Sequence, residues 1–587
     1  MKILIANLGS TSVKYRLFDF SSGEGVLLVK GGIERVNDHA TAIEQVQSEL
    51  KEGGWITSQA DLTAIGFKTI MAEGITGCLE LTEEVVESME MCNYVAPAHN
   101  PPYIKGIRLF ANKMPETPLV GLFETAFEIS GGIEAITGPA SSRYGANAMH
   151  GVINVISKPL KDENNISTNL GPNGYRNIKA KLGNRSNWSL NIFGASNDGF
   201  REFSGYDQQK LKMRSDFQLN SWTASLNMTL TNLNQETAGY ITGLNSYKES
   251  NLNRKNLNPE AFRDANSQRI SLNLKREEEN GISLLSPFIR KNDMVFLQHF
   301  LPGTPVEENS HVSYGVLFKR FLNFEHYSLI GGIQIEMADS ELVETQANAL
   351  TTSSAFNNAT RPQGKHYDYE VDSKVYAAFV GIDDLYISGD LLFFADIRTE
   401  SIKYDYNNRM NSGNTREDGT NCGFGGCYYN RPDDRSDNFN ELSFRAGIET
   451  DFDLVNYFFQ ASLGFRPPQI NETYRLQKRQ NVSDLDSEKL TMIEMGTAFN
   501  LDNLNGSLSI YKSKKRNSIF RDSENFIIDN GKTNHKGVEL TLDININETS
   551  NLISNFTYGD HKYDFNSDTS MRERIRIGNE IDTSPKL

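Results

Sequence analysis

A short segment near the start of the chain has residue types that handle phosphate. Residues 7–12 read Asn-Leu-Gly-Ser-Thr-Ser and lie between two short runs that we interpret as strands. In such a small, hydroxyl-rich turn, backbone N–H groups and the side-chain oxygens of Ser10 and Ser12 can approach a phosphate or a metal-bound phosphate. The same segment is also typical of a plain hairpin turn.

Two further segments present polar side chains in defined places. Residues 95–102 read Val-Ala-Pro-Ala-His-Asn-Pro-Pro, so prolines fix a rigid loop that presents His99 and Asn100. The alternative is a structural turn in which Asn100 caps a helix. Glu124 ends an apolar strand-like run, where catalytic carboxylates of α/β folds often lie.

In this order and spacing, the three segments resemble the acetate kinase family, which has the actin-like/sugar-kinase fold. The resemblance covers about residues 1–128. It implies that a phosphoryl group passes between ATP, with Mg²⁺, and a short carboxylic acid, giving an acyl phosphate. The implied roles are metal–phosphate binding for Asn7, the phosphate turn for Ser10 and Ser12, the substrate loop for His99 and Asn100, and the family's catalytic Asp position for Glu124.

The chain also departs from that family. Lys68 stands where an arginine is usual, so a flexible point charge replaces a bidentate guanidinium. No segment after residue 128 resembles the second lobe, which carries the glycine-rich nucleotide loops. Because half of the site cannot close on ATP, we expect no kinase activity from this chain alone.

The sharpest motif occupies residues 133–158. Two β-type runs flank a turn-rich loop with glycines where the backbone must turn tightly. The segment resembles the end of the plug domain of TonB-dependent outer-membrane receptors, with Thr137 in place of the usual arginine. Residues 464–474 and 578–585 resemble barrel segments of the same family. The motif residues of the plug segment are Gly138, Pro139, Arg143, Tyr144, Gly145, Gly151 and Asn154.

This second resemblance implies a plugged barrel in outer-membrane lipid that imports a scarce large ligand with energy from the TonB complex. The family's ligands include ferric siderophores, haem, cobalamin and glycans, and the resemblance implies no cofactor. It places Arg143 and Tyr144 near the barrel wall, where a packing contact is favoured over a ligand contact. It also makes Arg466 and Glu472 a structural pair of charges in the lumen or at its rim.

The cysteines and histidines give no metal-binding pattern. Cys422 and Cys427 flank Gly-Phe-Gly-Gly, and this short loop could close a disulfide in an oxidising compartment or hold two free thiols. By the second resemblance, a disulfide there would stiffen an extracellular loop. The histidines of the barrel region are scattered in sequence, and we interpret them as ordinary lumen or loop residues. They are His299, His311, His326, His366, His535 and His561.

The elements that must position these residues change character near residue 129. Before it, short apolar runs alternate with helical spacing of apolar residues at 42–51 and 83–91, which predicts an α/β fold. After about residue 160, apolar and polar residues alternate with period two, as at 222–230 and 538–546. We count about seventeen such segments between residues 165 and 565.

Two architectures suit this alternation. One is a soluble sandwich or propeller, and the other is a mainly antiparallel transmembrane β-barrel with a partial plug. Segments of about ten residues favour a tilted membrane span. Tight turns, such as Asn505-Gly506, alternate with long polar loops, such as 407–438, and this asymmetry also favours the barrel.

Composition narrows the function classes further. The 587 residues carry a net charge of −16, which disfavours a nucleic-acid partner because phosphate contacts need a surplus of lysine and arginine. The mean hydropathy of −0.48 argues against a helical membrane protein.

The N-terminus shows no export signal. A kinase would be cytoplasmic, whereas the barrel resemblance implies the outer membrane.

These patterns predict three parts: an acetate-kinase-like α/β fragment at 1–128, the end of a plug at 129–160, and an incomplete barrel at 161–587. Closure of such a barrel normally needs an even number of strands, so we expect a sheet that is open by several strands. The favoured function is a TonB-dependent receptor, and the alternative is an acetate-kinase-type phosphotransferase. Because the chain joins two partial proteins without a linker, we expect neither activity to operate in it as written.

Overall fold

A computed structural model gives the fold of most of the chain. The structure describes all residues except 1, 9–11, 21–25, 35–38, 70–76, 91–99, 116, 124–131, 157–159, 250, 298–302, 389, 451, 453, 479, 481–484, 502, 522–525, 548–549, 569–573 and 582–587. The chain divides into two compact units. One comprises residues 1–135 and 153–159, and the other comprises residues 136–152 and 160–587.

The first unit contains a six-stranded sheet and three α-helices. Its elements are β1 (Lys2–Leu8), β2 (Ser12–Asp19), β3 (Val26–Glu34), α1 (His39–Glu52), a 3₁₀ turn (Gln59–Asp61), β4 (Leu62–Thr69), β5 (Gly77–Glu80), α2 (Glu83–Glu90), α3 (Asn100–Lys113) and β6 (Leu119–Phe123). The strand order is β3-β2-β1-β4-β6-β5, and the central strands β1, β4 and β6 are parallel. The predicted α/β character of this region is confirmed.

Apolar periodicity explains how the helices attach to this sheet. In α1, Ile43, Val46 and Leu50 recur at i, i+3 and i+7, so they share one helix face, and all three are buried. They belong to a core that also contains Leu4 of β1 and Phe110 of α3. Removing these side chains from water is the main favourable term for this unit.

A hairpin follows the first sheet. It consists of β7 (Gly132–Thr137), α4 (Ser141–Tyr144) and β8 (Gly151–Ile156), with β7 and β8 forming a two-stranded sheet. The division between the two units falls within these two strands. The connection between them, residues 138–150, belongs to the second unit, and we call it the inner loop.

The rest of the second unit is a large antiparallel sheet with small loop elements. In chain order its elements are β9 (Glu163–Leu170), β10 (Arg176–Asn184), β11 (Trp188–Asn197), β12 (Tyr206–Leu219), β13 (Trp222–Glu236), a 3₁₀ turn (Ser246–Lys248), β14 (Phe262–Glu278), β15 (Gly281–Leu297), β16 (Pro305–Asn323), β17 (Ser328–Gln346), α5 (Ala355–Thr360), β18 (Gly364–Ser388), β19 (Leu391–Asn408), β20 (Tyr429–Asn430), β21 (Arg435–Thr450), β22 (Val455–Arg466), α6 (Ile470–Thr473), β23 (Leu476–Gln477), β24 (Glu488–Leu501), β25 (Leu504–Arg521), β26 (Ile527–Asn547), β27 (Ser550–Tyr563), β28 (Ser567–Asp568) and β29 (Arg574–Ile575).

Seventeen of these strands form one ring in which each strand neighbours the next along the chain. The predicted count of seventeen is therefore confirmed. The expectation of a sheet open by several strands is wrong, because β27 and β9 are neighbours in the strand order and close the ring at one seam. Because sixteen antiparallel steps separate them, β9 and β27 run in the same direction, so the seam joins parallel strands. The described residues give a register of Cα partners at every other junction and none at this seam.

The connections of the ring alternate in length, as predicted. Short turns such as 220–221 and 279–280 lie at one rim, and long loops such as 237–261 and 409–434 lie at the other. One predicted turn is wrong: Asn505 and Gly506 lie within β25, where they pair with Asn500 and Phe499. The chain reverses earlier, between Leu501 and Leu504, which pair with each other, because the pairing of alternating side chains outweighs the local Asn-Gly turn preference.

Period two separates an outer apolar face from an inner polar face. Ile270, Ile289 and Tyr314 are register partners on three successive strands, and 42%, 49% and 49% of their surface is exposed. The next positions along two of these strands, Arg290 and Ser313, are hydrogen bonded to each other on the inner side, Nε to Oγ at 2.6 Å. Neighbouring strands thus present an apolar row outward and polar groups inward.

Candidate functional site

Three glycines allow the inner loop its conformation. Gly138, Gly145 and Gly151 have φ of 78°, 84° and 150°, a region that side-chain-bearing residues rarely adopt. At Gly151 a Cβ atom would lie 2.5 Å from the carbonyl oxygen of Ile136, and at Gly145 it would lie 2.9 Å from the guanidinium of Arg398. Larger residues would strain the backbone at all three positions and would also crowd Arg398 at position 145 and Ile136 at position 151.

The inner loop packs against a glycine of the ring. At Gly464 of β22, a Cβ atom would come within 3.1 Å of Pro139, Ser141 and Met149. The amide of Phe465 donates to the hydroxyl of Ser141 at 3.3 Å. The motif at 138–151 and the motif that begins at 464 are therefore in direct contact.

Arg143 ties the inner loop to two strands of the ring. Its Nη2 lies 2.5 Å from Asp383 on β18, and its Nε lies 2.8 Å from Asp396 on β19. Asp396 is almost fully buried and also accepts from Arg445 at 3.0 Å. Burial lowers the pKa of Arg143, but the charges of Asp396 and Asp383 outweigh it and raise that pKa above its usual value. The contacts of Arg143 are those of a packing anchor.

A second charged group lies at the end of β22. Arg466 contacts Glu472 at 3.0 Å and Glu488 of β24 at 2.5 Å. Lys515 of β25 also contacts Glu488, at 2.9 Å. The predicted Arg466–Glu472 pair is confirmed, and Glu488 and Lys515 extend it across two further strands.

A cavity of about 590 Å³ lies inside the ring beside the inner loop. Residues 144–147 form one side, inward-facing residues of β15 to β19 form the wall, and residues 467–471 form another side. Its size falls in the range of small-molecule sites. Tyr144 lines it and is 41% exposed, so Tyr144, unlike Arg143, faces the cavity.

Two long loops are joined beside this cavity. Within the loops 409–434 and 467–487, β20 pairs with β23. Arg475 in the second loop reaches Glu307 of β16 at 2.6 Å and also contacts Glu344 of β17. Burial lowers the pKa of Arg475, but the charges of Glu344 and Glu307 outweigh it and raise that pKa above its usual value. Arg475 therefore anchors the joined loops to the ring.

The first of these loops contains a disulfide, between Cys422 and Cys427. Both half-cystines belong to a buried core that is rich in tyrosine. The tyrosine cluster, as we call it, consists of Tyr367, Tyr369, Tyr404, Tyr406, Tyr429 and Tyr474. Tyr406 and Tyr474 stack with ring centroids 4.4 Å apart, while Tyr369 and Tyr404 line the cavity. The tyrosine cluster that packs beneath the loops therefore also forms part of the cavity wall.

The structure gives a partial view of the kinase-like residues. Asn7 lies near the end of β1 and Lys68 near the end of β4, and the register pairs Ala6 with Phe67. The backbone therefore places both residues at one edge of the parallel strands. Ser12 begins β2 and Asn100 begins α3. Ser10, His99 and Glu124 lie outside the described residues.

The register brings together two histidines that are distant in sequence. His535 of β26 and His561 of β27 are direct partners, with their Nδ1 atoms 2.8 Å apart. The sequence spacing of the histidines had indicated only scattered lumen or loop residues.

Across the part of the chain that the structure describes, no group of three His, Cys, Asp or Glu residues is arranged to hold a metal ion.

Sequence reasoning missed most of the cavity. Its wall takes Arg290, Asn309, Gln334 and Glu336 from three different strands. Period two could have indicated that these residues face inward, but not which strands converge.

Among the described residues, no helix has the length and apolarity needed to cross a bilayer.

Family models match both regions. A model described as "TonB dependent receptor-like, beta-barrel" matches residues 157–587, and one described as "Acetokinase family" matches residues 2–137. The N-terminal region is 37% identical over 152 residues to an acetate kinase of Clostridium botulinum, covering 22% of this chain and 38% of that protein. An acetate kinase of Carboxydothermus hydrogenoformans is 35% identical over 153 residues, with the same coverage. The chain spans 38% of the length of these curated relatives.

Solved structures match the second region. The ferric-catecholate import receptor Fiu from E. coli, in its closed form, superposes with a TM-score of 0.57 and 16% identity, covering 74% of this chain and 70% of that one. The siderophore receptor PiuA from Acinetobacter baumannii gives a TM-score of 0.56 and 14% identity, covering 75% and 70%. At this identity, the likeness shows a shared fold.

Proposed function

The chain belongs to the TonB-dependent receptor-like β-barrel family, and from that premise we propose that it is an outer-membrane receptor for uptake of a large, scarce ligand such as a ferric siderophore. Because the chain joins two partial proteins, we expect transport itself to fail in the chain as written. In this proposal the ligand occupies the cavity beside the inner loop, and the TonB complex supplies energy for its release. No resident cofactor is required.

The cavity is the observation that carries this proposal. It lies inside a ring of long antiparallel strands and is bounded on one side by Tyr144 to Asn147, a segment that resembles the end of a receptor plug. We therefore assign residues 129–160 to the plug and 161–587 to the barrel. Gly138, Pro139, Gly145, Gly151 and Asn154 would shape the plug, and Arg143 would anchor it.

The outer face of the ring supports a membrane location. Exposed Ile270, Ile289 and Tyr314 form an apolar row across three strands, a pattern that favours contact with lipid. The alternating short turns and long loops are also typical of outer-membrane barrels. In this arrangement the long loops face outward, and the Cys422–Cys427 disulfide lies in one of them.

Fractionation tests the location. We expect the full chain, expressed in a Gram-negative host behind a secretion signal, to sediment with outer-membrane markers and to resist extraction with sodium carbonate. Recovery only in the cytosolic fraction would contradict the receptor proposal. Growth on a single ferric siderophore, compared between hosts with and without TonB, then tests uptake.

A second candidate function comes from the first unit. Its match to acetate kinases suggests binding of ATP and Mg²⁺, with Asn7, Ser10 and Ser12 at the phosphate, His99 and Asn100 at the substrate, and Lys68 and Glu124 as the catalytic pair. Because the match spans 38% of those relatives, we expect no acyl phosphate from the purified full chain with acetate and MgATP. Turnover that is lost in Glu124→Ala would establish this second function.

A further inference from the structure

We infer that the cavity accepts an uncharged, oxygen-rich ligand and discriminates against anionic ones. The inference rests on the proposed function, because it concerns the ligand of the same cavity. It follows from the way in which the charged groups around the cavity are paired.

Each charged side chain that lines the cavity has a partner of opposite sign. Arg290 Nη2 lies 2.6 Å from Glu336 Oε1, so these two lining residues neutralise each other. Glu400 accepts from Arg398 at 2.7 Å. Glu341 contacts Arg409 at 3.1 Å. Among the described lining residues, every carboxylate thus contacts an arginine, and Arg409 is shared with Asp368 and Glu370, so no arginine charge is left in excess at the cavity.

This pairing leaves little attraction for a charged ligand. A charged ligand that enters the cavity loses hydration and must recover that loss from an opposite charge. Arg290, the lining arginine, is engaged with Glu336 and Ser313, so an anion would have to displace a carboxylate from it. An uncharged ligand meets no such cost, and it can exchange hydrogen bonds with polar side chains.

The remaining lining suits such a ligand. Hydroxyl and amide side chains of Ser310, Ser373, Gln469 and Asn471 are interspersed with aromatic rings. The phenol rings of Tyr144, Tyr369 and Tyr404 supply flat apolar surface that ends in a polar atom. Neutral ferric hydroxamates and neutral oligosaccharides share the chemistry that this lining can bind.

Calorimetry on the purified full chain in detergent tests the inference. The probes are ferrichrome, an uncharged ferric trihydroxamate; maltoheptaose, an uncharged oligosaccharide; and ferric enterobactin, a triply anionic tricatecholate. We expect one of the two neutral probes to bind at least about tenfold more tightly than the anionic probe. Binding of ferrichrome would identify the ligand as a neutral ferric hydroxamate, and binding of maltoheptaose would identify it as a neutral oligosaccharide.

Two matched variants isolate the role of charge. Glu336→Gln removes the carboxylate that occupies Arg290, and we expect it to improve binding of ferric enterobactin about tenfold. The double variant Arg290→Gln/Glu336→Gln restores neutrality, and we expect it to lose that gain and to keep the preference for the neutral probe. The double variant also separates the charge effect from any loss of folding in the single variant.

Three results would overturn the inference. They are equal or tighter binding of ferric enterobactin by the unmodified chain, no gain for that probe in Glu336→Gln, and no binding of either neutral probe. None of them affects the receptor proposal itself, because that proposal fails separately, when the chain is absent from the outer-membrane fraction.

Discussion

Arg143 and Asp396 are separated by 253 positions in the chain, yet their side chains meet at 2.8 Å. Arg143 belongs to the inner loop, and Asp396 projects from β19 into the lumen with only 2% of its side chain exposed. A short loop is thereby fixed inside the ring by a charge that has little access to water. This contact lies between the inner loop and the wall of the ring, so it contributes to holding the two together.

Replacing Arg143 should loosen the inner loop. Arg143→Ala removes this partner from Asp383 and from Asp396, which keeps its contact with Arg445, and breaking a buried ion pair typically costs about 3–5 kcal/mol. We expect faster amide hydrogen exchange across residues 138–150, with exchange in the barrel strands unchanged. Arg176→Ala, at an exposed position of β10, is the control. Equal exchange in both variants would show that Arg143 is not an anchor.

Gly145 should tolerate alanine poorly. The added Cβ would lie 2.9 Å from Arg398 and 3.3 Å from Glu400, in a backbone conformation with φ of 84°. We expect Gly145→Ala to destabilise the chain by about 1–3 kcal/mol, seen as a lower Tm. Gly413 is a matched control because it has φ of 94° but open space around its Cβ position. If Gly413→Ala lowers Tm equally, backbone strain rather than crowding is the cause.

Removing Arg475 should release the joined loops. Glu307 and Glu344 are both buried, and without Arg475 their charges would lose that partner, at a cost of about 3–5 kcal/mol. Arg475→Gln should make residues 467–487 sensitive to added protease. The triple variant Arg475→Gln/Glu307→Gln/Glu344→Gln removes the two buried carboxylates together with the arginine and should regain much of the protection. Protection that is unchanged in the single variant would contradict this role.

The disulfide should stabilise the first of these loops. The Cys422→Ser/Cys427→Ser variant loses a short cross-link, worth about 2 kcal/mol in the chain-entropy description. We expect faster hydrogen exchange in residues 409–434. The unmodified chain treated with dithiothreitol should behave like the variant, and the variant should not respond to the reagent.

Asp61 gives the first unit a contact that depends on pH. Its Oδ2 accepts from the amide and the hydroxyl of Thr57 and from the amide of Ser58, and these bonds lower the pKa of Asp61 to about 2. A lowered pKa means that the contribution to stability is present above the unfolded-state pKa of about 4 and is lost as the pH falls from 4 to 2. Thr57 and Ser58 amide protection should fall in that window. It should vary little with pH in Asp61→Asn.

How much the sequence could predict depended on the range of the interactions involved. Local patterns were sufficient for α1, whose buried Ile43, Val46 and Leu50 recur on one face, and for the count of ring strands. They failed at Asn505-Gly506, where strand register outweighed a local turn preference. They also could not pair Arg290 with Glu336 or His535 with His561, because such contacts depend on registers summed over several strands.

The odd number of strands has a topological consequence. The chain enters the ring at β9 on the rim of short turns and leaves it at Tyr563 on the rim of long loops. The segment that follows folds back along β27, with Ile581 donating its amide to the carbonyl of His561 at 3.0 Å. An antibody against residues 574–581 would therefore bind from the same side as one against residues 409–434, and no antibody bound at the opposite rim would compete with it.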